Sequence, residues 1–248
     1  MNDRKEKIFA ILNRQGSVSV EQLKRELFAS EATVRRDLKQ MEQEGLLIRK
    51  WGGALSLSSV NNDPPLFVRS NANVNAKNAI ARAALRFLES NMTLFLASGT
   101  TVARLAKFLH KYENLTVITN GLDTVSAMSN HLSARILLTG GEVHENYDLI
   151  GGLTESAIEQ FNADLFFFSC SGITSQGFTS MDSARLEVIK RMKKNSAKTV
   201  LLADSSKVGK KYTYKGFGFE EIDYVILESK PRDAELRRVL GEKLIVAR

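Results

Sequence analysis

Apolar residues in the first 57 positions recur at the spacing of amphipathic helices. Three helices are predicted: one over residues 4–14, one that starts after Ser19 and one between Ser30 and Gly45. Their apolar stripes are Ile8, Ile11 and Leu12, then Val20, Leu23 and Leu27, and finally Val34, Leu38 and Met41. About three residues separate the second and third helices, as in a helix-turn-helix. Apolar runs on both sides of WGG (51–53) predict a short hairpin, or wing.

The pattern changes after a polar stretch at 58–75 that holds two of the three prolines. Short, almost continuously apolar strands then alternate with amphipathic helices, which is typical of a parallel sheet covered on both faces. The predicted strands are 93–97, 115–119, 135–139, 164–170, 199–203 and 224–228. The sequence therefore predicts a small α+β winged helix-turn-helix domain (1–57), a linker (58–75) and an α/β domain with a mostly parallel sheet (76–248).

The charge distribution favours an anionic partner. The 248 residues carry a formal net charge of +7, which suits nucleic acid, phosphorylated ligands or a membrane surface without choosing among them. Residues 1–57 contribute +3 and residues 181–215 contribute +7, whereas the remaining segments are slightly acidic. The basic character therefore lies in two separate places.

Composition argues against several other classes of protein. The single cysteine, Cys170, excludes an intramolecular disulfide and suits a cytoplasmic location. No apolar run reaches the roughly 18 residues of a membrane span, and the first residues do not predict a signal peptide. The three histidines are scattered without metal-ligand spacing, so we expect neither a metal nor another cofactor.

Cations cluster on the third helix opposite its apolar stripe, where helical geometry turns them away from the core. We predict a DNA-binding surface made of Ser30, Glu31, Thr33, Arg35, Arg36, Lys39, Arg49 and Lys50. Arginine can bind guanine edges or phosphates, and cations on the wing can reach the adjacent backbone. The alternative is a solvated helix with charges of both signs, because the same helix also carries Glu31, Asp37, Glu42 and Glu44.

The segment SVEQLKRELFASEATVRRDLKQMEQEGLLIRKWGGA resembles the winged helix-turn-helix signature of the DeoR family of bacterial transcription regulators. The remainder resembles the effector domain of that family in KNAIARAA, SGTT, LTVITNG, LLTGGE, IGG, FNADLFFF, GI and LLADSSKVG. The resemblance covers essentially the whole chain. It implies a DNA-binding repressor whose second domain is related in fold to ribose-5-phosphate isomerases and senses a phosphorylated sugar.

A strand-to-helix loop, SGTT, is the first candidate for an effector site. Ser98, Gly99, Thr100 and Thr101 would offer hydroxyls and the free amides of a helix N-terminus to a phosphate, although an ordinary capped turn is an equal alternative. The resemblance adds Lys207 as a point charge, which is otherwise a surface lysine. Further candidates that would let the backbone or an amide approach a sugar are Asn120, Gly140, Gly141, Gly151 and Gly172, each glycine alone being more often a tight turn.

The chain departs from the family pattern where acids are usual. Ala97 precedes the SGTT loop and Thr174 ends GIT in place of aspartates, and Arg185 and Ile189 stand near the positions of a usual Glu/Lys pair. These changes remove charge that could bind sugar hydroxyls. We therefore expect an effector that differs from a simple sugar phosphate or binds weakly.

Two alternative functions fit the residues less well. A sugar-phosphate isomerase needs positioned carboxylates, and here only Asp182 and Asp204 remain as poor substitutes, while Cys170 has no histidine near it in sequence. An RNA-binding module needs exposed aromatic platforms, for which Trp51 is the one candidate.

The basic segment 181–215 is interpreted as a solvated helix face followed by a lysine-rich loop that could close over an anionic effector. A second nucleic-acid surface is the less favoured alternative. Because one three-helix unit makes too few contacts for strong discrimination, we also expect a homo-oligomer, a dimer or tetramer, on a double-stranded operator.

Overall fold

The computed structural model describes residues 3–44, 46–50, 52–56, 66–129, 133–144 and 147–247. Its chain divides into two compact units, Met1–Asn71 and Ala72–Arg248. The predicted helix stop at Gly45, the aromatic candidate Trp51 and residues 58–65 of the predicted linker lie outside the described residues.

The first unit contains three helices and a small antiparallel sheet of order β1-β3-β2. Its elements are α1 (Asp3–Gln15), β1 (Ser17–Ser19), α2 (Val20–Leu27), α3 (Glu31–Gln43), β2 (Ile48–Lys50), β3 (Gly53–Leu55) and α4 (Leu66–Asn71). The three predicted helices and the wing hairpin are confirmed. Two elements were not predicted: β1, which pairs with β3, and α4, which lies within the segment predicted as linker.

The three apolar stripes of the first unit meet in one core. The side chains of Ile8, Leu12, Leu23, Val34, Leu38 and Met41 are almost completely buried there. Both predicted N-caps are confirmed, since Ser19 Oγ accepts a hydrogen bond from the amide of Gln22 and Ser30 Oγ accepts one from the amide of Thr33. The capped start and buried stripe of α3 together fix which of its side chains face solvent.

The second unit is built on seven parallel strands in the order β15-β14-β12-β9-β4-β5-β6. The main strands are β4 (Thr93–Leu96), β5 (Thr116–Thr119), β6 (Arg135–Leu138), β9 (Ala163–Phe168), β12 (Ser196–Leu202), β14 (Tyr224–Leu227) and β15 (Leu244–Val246). The helices are α5 (Val74–Ala84), α6 (Thr100–Ala106), α7 (Leu122–Ala127), α8 (Gly152–Ile158), α9 (Ser183–Lys194) and α10 (Ala234–Leu240).

Two large apolar clusters lie on the main sheet, one centred on Phe166 and Phe168 and the other on Leu94 and Phe167. This arrangement confirms the predicted parallel sheet covered on both faces. Two small antiparallel sheets were not predicted. They pair β7 (Glu142–Val143) with β8 (Leu149–Ile150), and β11 (Gly177–Ser180) with β10 (Gly172–Thr174) and β13 (Tyr214–Lys215). Strands of two to four residues are too short to show periodicity.

The order of the main strands creates a switch point beside β4. From β4 the chain proceeds to β5 and β6 on one side, and it later returns to place β9, β12, β14 and β15 on the other side. In open α/β sheets the crevice at the carboxyl ends of the strands that flank such a reversal is the usual ligand site. Here that crevice lies between β4 and β9.

Candidate functional sites

The start of α3 is organised by its own polar side chains. The hydroxyls of Ser30 and Thr33 lie 2.8 Å apart, and Ser30 Oγ also caps the helix. One turn later Arg35 Nε donates a 2.8 Å hydrogen bond to Glu31 Oε1, and this bond lowers the pKa of Glu31. Four residues of the predicted DNA-binding surface therefore form two local pairs at the start of the helix.

Three cations of the predicted surface remain exposed without an ion pair to any described residue. They are Arg36 and Lys39 on α3, one helical turn apart, and Lys50 at the end of β2. Arg35 differs from them because it shares its guanidinium with Glu31. A phosphate backbone would find its strongest attraction at the exposed cations.

Asp37, Glu42 and Glu44 are bonded to other elements of the first unit, which argues against the alternative of a solvated helix. Asp37 is only 4% exposed and forms an ion pair with Arg4 of α1. Glu44, just after α3, lies 3.0 Å from Lys5 Nζ. These pairs join residues more than 30 positions apart, which is why periodicity along one helix did not reveal them.

The wing is held to α3 by a third acid. Glu42 accepts a 3.1 Å hydrogen bond from the amide of Arg49, and its carboxylate lies 3.7 Å from the Arg49 guanidinium. Arg49, predicted to contact DNA, is half-buried and shares its charge with Glu42. Asp37, Glu42 and Glu44 thus attach α1 and the wing to α3, and the exposed side of that helix is left cationic.

In the second unit, five candidate loops lie along one edge of the main sheet. They follow β12 (ADSSK), β9 (SCS), β4 (ASGTT), β5 (NG) and β6 (TGG), and these five strands are consecutive neighbours. Because all the strands are parallel, their carboxyl ends meet at the same edge. We call this the carboxyl edge. The SGTT loop lies at its switch point.

Asn120 fixes the SGTT loop from the next strand. Its Oδ1 accepts a 2.9 Å hydrogen bond from the amide of Ser98, and its Nδ2 donates one of 2.9 Å to the carbonyl of Leu149. The side chain is almost completely buried. Asn120 was predicted to face the effector, and its amide group is instead bonded to main chain on both sides. It is a positioning residue for the loop.

The SGTT loop leads directly into α6. Gly99 precedes the helix with a φ of 156°, which side chains disfavour, and Thr100 is its first residue. Neither threonine hydroxyl, at Thr100 or Thr101, hydrogen-bonds another group within the described ranges. The first amides of any helix also lack partners inside the helix. Hydroxyls and main-chain amides are therefore gathered at the switch point, an arrangement that suits a phosphate.

The other four candidate glycines fall into two groups. A Cβ at Gly172 would lie 2.3 Å from a carbonyl oxygen of the loop after β12, and one at Gly141 would lie 2.1 Å from the hydroxyl of Thr154. These two glycines are required by contacts within the chain. Gly140 and Gly151 have positive φ angles and no atom within 4 Å of a built Cβ. Only the latter two have open space beside them, and of these Gly140 lies in the loop after β6.

The loop after β12 contains both Lys207 and a buried acid. Asp204 is 2% exposed, and its Oδ1 accepts hydrogen bonds from the amide of Ser206 at 3.1 Å and from Asn73 Nδ2 at 2.9 Å. Asn73 immediately precedes α5 and lies two positions after Asn71, where the first unit ends. The loop that carries Lys207 is therefore bonded to the very start of the second unit.

The carboxylates and the thiol that an isomerase could use are hydrogen-bonded within the chain or protonated. Asp182 caps α9 through a 2.9 Å hydrogen bond from the amide of Arg185, and Asp204 is bonded as described. Burial raises the pKa of Cys170 to about 12, an effect that Asp204 reinforces and Lys207 opposes. The thiol is therefore protonated at neutral pH and a poor nucleophile.

Sequence reasoning missed an ionic cluster around the buried Asp148, which precedes the Leu149 partner of Asn120. Asp148 is 1% exposed, and its Oδ1 lies 3.2 Å from Arg185 Nη2. His144 Nε2 lies 3.3 Å from the carboxylate of Asp182. The adjoining residue Leu149 bonds Asn120. The departure at Arg185 was visible in the sequence, but its partner lies 37 positions away and gave no local signal.

Ile189, the second departure on α9, lies in the core with 8% of its surface exposed. Of the two positions that lack the usual acids, Ala97 is buried and extends the pairing of β4 through its amide. Thr174 is the last residue of β10, and its hydroxyl accepts a hydrogen bond from the amide of Gln176 in the following turn. Within the described ranges we find no group of three or more potential metal ligands and no helix long and apolar enough to span a membrane.

Comparison with known families matches both units. The model of the DeoR-like helix-turn-helix domain matches residues 4–60, and that of the DeoR C terminal sensor domain matches residues 72–229. Together they account for most of the chain.

Similar curated proteins extend over nearly the whole length. The HTH-type transcriptional regulator GolR of Listeria innocua is 34% identical over 92% of this chain and 91% of its own. The glycerol-3-phosphate regulon repressor of Escherichia coli K12 is 31% identical over 90% of this chain and 89% of its own. A ribose 5-phosphate isomerase structure from Methanocaldococcus jannaschii is 15% identical over 56% of each chain with a TM-score of 0.42, too distant to carry functional weight.

Proposed function

Because the chain belongs to the DeoR family and is a DNA-binding transcription regulator, we propose that it represses a carbohydrate-metabolism operon and is released by a phosphorylated metabolite. The observation that carries this proposal is the SGTT loop, which offers hydroxyls and helix-start amides at the switch point of the main sheet. The name of the glycerol-3-phosphate regulon repressor is in keeping with such an effector.

On the DNA side, Arg36 and Lys39 of α3 and Lys50 of the wing supply the attraction to phosphates and base edges. Arg35 is shared with Glu31, and Arg49 is shared with Glu42. We assign these two arginines a supporting role. Ser30 and Thr33 shape the start of the helix, where their hydroxyls can also reach a phosphate.

On the effector side, the phosphate is held by the Ser98–Thr101 loop and by Lys207. The backbone of the loop is held at the Ser98 amide by Asn120 before the ligand arrives, so little order has to be gained on binding. Sugar hydroxyls would find few free acids, because Asp148, Asp182 and Asp204 are bonded within the chain. Recognition therefore depends on the phosphate more than on the sugar.

The hydrogen bond between Asn73 and Asp204 provides a route for coupling. Movement of Lys207 onto a phosphate shifts the loop that contains Asp204, and Asn73 ties that loop to the start of α5. A ligand changes DNA affinity only if it binds one arrangement of the protein better than another. We propose that this hydrogen bond differs between the two arrangements.

A thermal-shift screen tests the effector assignment. Hexose, pentose and triose phosphates are compared with their unphosphorylated counterparts, and a ligand that binds only the folded chain raises its melting temperature. We expect a shift from a phosphorylated compound alone. Thr100→Glu, which places a carboxylate at the start of α6, and Lys207→Gln should each reduce the shift. Ser126→Glu, at an exposed site on α7, should not. A shift from the unphosphorylated sugar of equal size would contradict the proposal.

We further propose that the protein acts as a homo-oligomer. Two winged helices could then read two half-sites about one helical turn, or a multiple of it, apart. Exposed apolar side chains near the open edge of the main sheet, Leu138, Val143 and Leu153, are available for a second copy. Sedimentation at micromolar concentration should show a dimer or tetramer. A monomer that binds its operator tightly would contradict this part of the proposal.

A further inference from the structure

The basic segment 181–215 contributes to a groove on the second unit that the proposed function does not use. The groove has a volume of about 790 Å³ and contains residues of α9, β12 and β13 and the residues around Phe217. Its lysines are Lys190, Lys193, Lys194 and Lys215, and its acids are Glu221 and Asp223. A volume of this size suits a small molecule rather than a polymer.

Two of these four lysines already form ion pairs with acids. Lys193 Nζ pairs with Glu221 at 2.5 Å, and Lys190 pairs with Glu187 at 2.8 Å. Asp223 is held by the backbone, since its Oδ2 accepts a 2.7 Å hydrogen bond from the amide of Thr199.

By contrast, Lys194 and Lys215 form no ion pair with any residue that the structure describes. They come from different elements, α9 and β13, and both line the groove. Asp223 keeps its negative charge, so four lysines face two acids in the groove. Two of those lysines have no carboxylate partner among the described residues. A ligand with at least two negative charges would offset both of them.

One wall of the groove is a rigid aromatic ring. Phe217 packs edge-on against Phe178, with ring centres 4.8 Å apart, and lies 5.7 Å from the ring of Phe168. Lys193 Nζ lies 5.6 Å from the centre of the same ring. A half-buried, fixed aromatic face beside cations favours a ligand that combines a planar ring with phosphates.

The groove is separate from the carboxyl edge. It includes Ser196 and Ala197, the first two residues of β12, whereas the SGTT loop and Lys207 follow the carboxyl ends of their strands. Within the described chain, no residue that lines this groove belongs to the candidate effector site. A ligand here would occupy a second place on the second unit.

We propose that this groove binds a small molecule of the nucleotide class that carries two or more phosphate charges. Lys194 and Lys215 attract the phosphates as point charges, and Phe217 supplies a surface for the ring. The proposal is independent of the identity of the effector at the carboxyl edge.

Titration calorimetry with ADP and with pyrophosphate tests the proposal on the full chain carrying Thr100→Glu, which places a carboxylate in the SGTT loop and should repel phosphates there. We expect both probes to bind, ADP more tightly because of its ring. Lys194→Gln with Lys215→Gln should weaken both probes by at least about tenfold, since each loses a charged hydrogen bond. The matched control, Lys198→Gln with Lys230→Gln, changes two exposed lysines outside the groove and should leave binding unchanged.

Three outcomes would overturn the proposal. The first is that neither probe binds the Thr100→Glu chain. The second is that the control pair weakens binding as much as the groove pair, which would indicate attraction to general positive charge. The third is that the groove pair lowers affinity for duplex DNA while neither probe binds, which would make the groove a second nucleic-acid surface. Unchanged melting temperatures show that the variants are folded.

Discussion

In both units the acids are bonded within the chain, but the surfaces that remain differ in charge. On α3, Asp37 and Glu42 are bonded to α1 and the wing, and the cations Arg36 and Lys39 remain exposed. At the carboxyl edge, acids such as Asp148 and Asp204 are also bonded internally, and what remains is largely neutral: amides, hydroxyls and a protonated thiol.

This difference in charge matches the two proposed ligands, DNA and a small phosphorylated metabolite. DNA presents a continuous line of charge, so exposed cations attract it from every direction. A small phosphate must be recognised by shape as well, and fixed amides and hydroxyls supply directed hydrogen bonds without attracting other anions strongly. In both units acids are paired within the chain, and the groups that remain unpaired determine which ligand the surface suits.

The largest expected effect concerns the Cys170 thiol, which stays protonated at the carboxyl edge. Burial raises the pKa of Cys170 from its ordinary value of 9.0 to about 12, so at pH 8 far less thiolate is present than in the unfolded chain. We expect iodoacetamide to label the native protein at least about a hundredfold more slowly than the urea-unfolded chain.

The sign of the linked pH effect follows from the same shift. Because folding raises this pKa, the protonated thiol stabilises the fold fully below pH 9.0, and that contribution is lost as the pH rises toward 12. Cys170→Ser should lose less stability between pH 8 and 10 than the wild type. Equal labelling rates in the folded and unfolded states would show that the edge is not neutral in this way.

The next largest effect concerns the cations on the exposed side of α3. Arg36→Ala should weaken operator binding by about 1–3 kcal/mol without changing the melting temperature, because Arg36 is exposed and lies opposite the buried stripe. Arg35→Ala should cost less, because Arg35 already shares its charge with Glu31. Gel-shift titrations, with an operator selected from a randomised duplex pool, measure both. Arg14→Ala, on the exposed part of α1, is the control. A larger loss from Arg35 than from Arg36 would reverse the assignment.

Coupling between the two sites is the third effect. Asn73→Gly removes the hydrogen bond to Asp204 and tolerates the positive φ of 53° at this position. We expect normal operator affinity and normal effector binding, but an effector-induced change in DNA affinity of less than about threefold instead of the roughly 5–150-fold typical of allosteric coupling. Asn75→Gly, at a neighbouring exposed position, serves as the control. A full response in Asn73→Gly would show that coupling takes another route.

The smallest effect lies in the turn between α2 and α3. Phe28 has a φ of 50° and is 97% exposed, so it adopts a left-handed conformation and buries almost none of its ring. Phe28→Gly should stabilise the first unit by about 1 kcal/mol in urea unfolding, since glycine adopts this conformation without strain. Phe28→Ala keeps the strain and should gain little. Equal stability of the two variants would argue against strain at this turn.

Sequence patterns predicted the elements that have long local signals. The stripe of Val34, Leu38 and Met41 correctly predicted which side of α3 is buried, because every one of those residues belongs to one helix. The apolar strands likewise predicted the parallel sheet, and parallelism alone brought five loops to one edge.

What the sequence did not predict depends on contacts between distant residues. Asp37 with Arg4, and Asp148 with Arg185, pair across more than 30 positions. Asn120 and Gly172 illustrate the same limit, since their types suited a ligand and their neighbours in the fold turned out to be main chain. A single sequence gives the residue types at an edge, whereas the fold determines which of them are already bonded.

We propose that a phosphorylated metabolite at the SGTT loop controls DNA binding by the other unit. Fluorescence anisotropy tests this directly by measuring the operator affinity of the wild type and of Thr100→Glu, with and without the sugar phosphate that shifts wild-type melting. We expect a wild-type affinity that falls by roughly 5–150-fold with the ligand, and a Thr100→Glu chain that binds DNA equally well but does not respond. A Thr100→Glu chain that responds as the wild type does would contradict it.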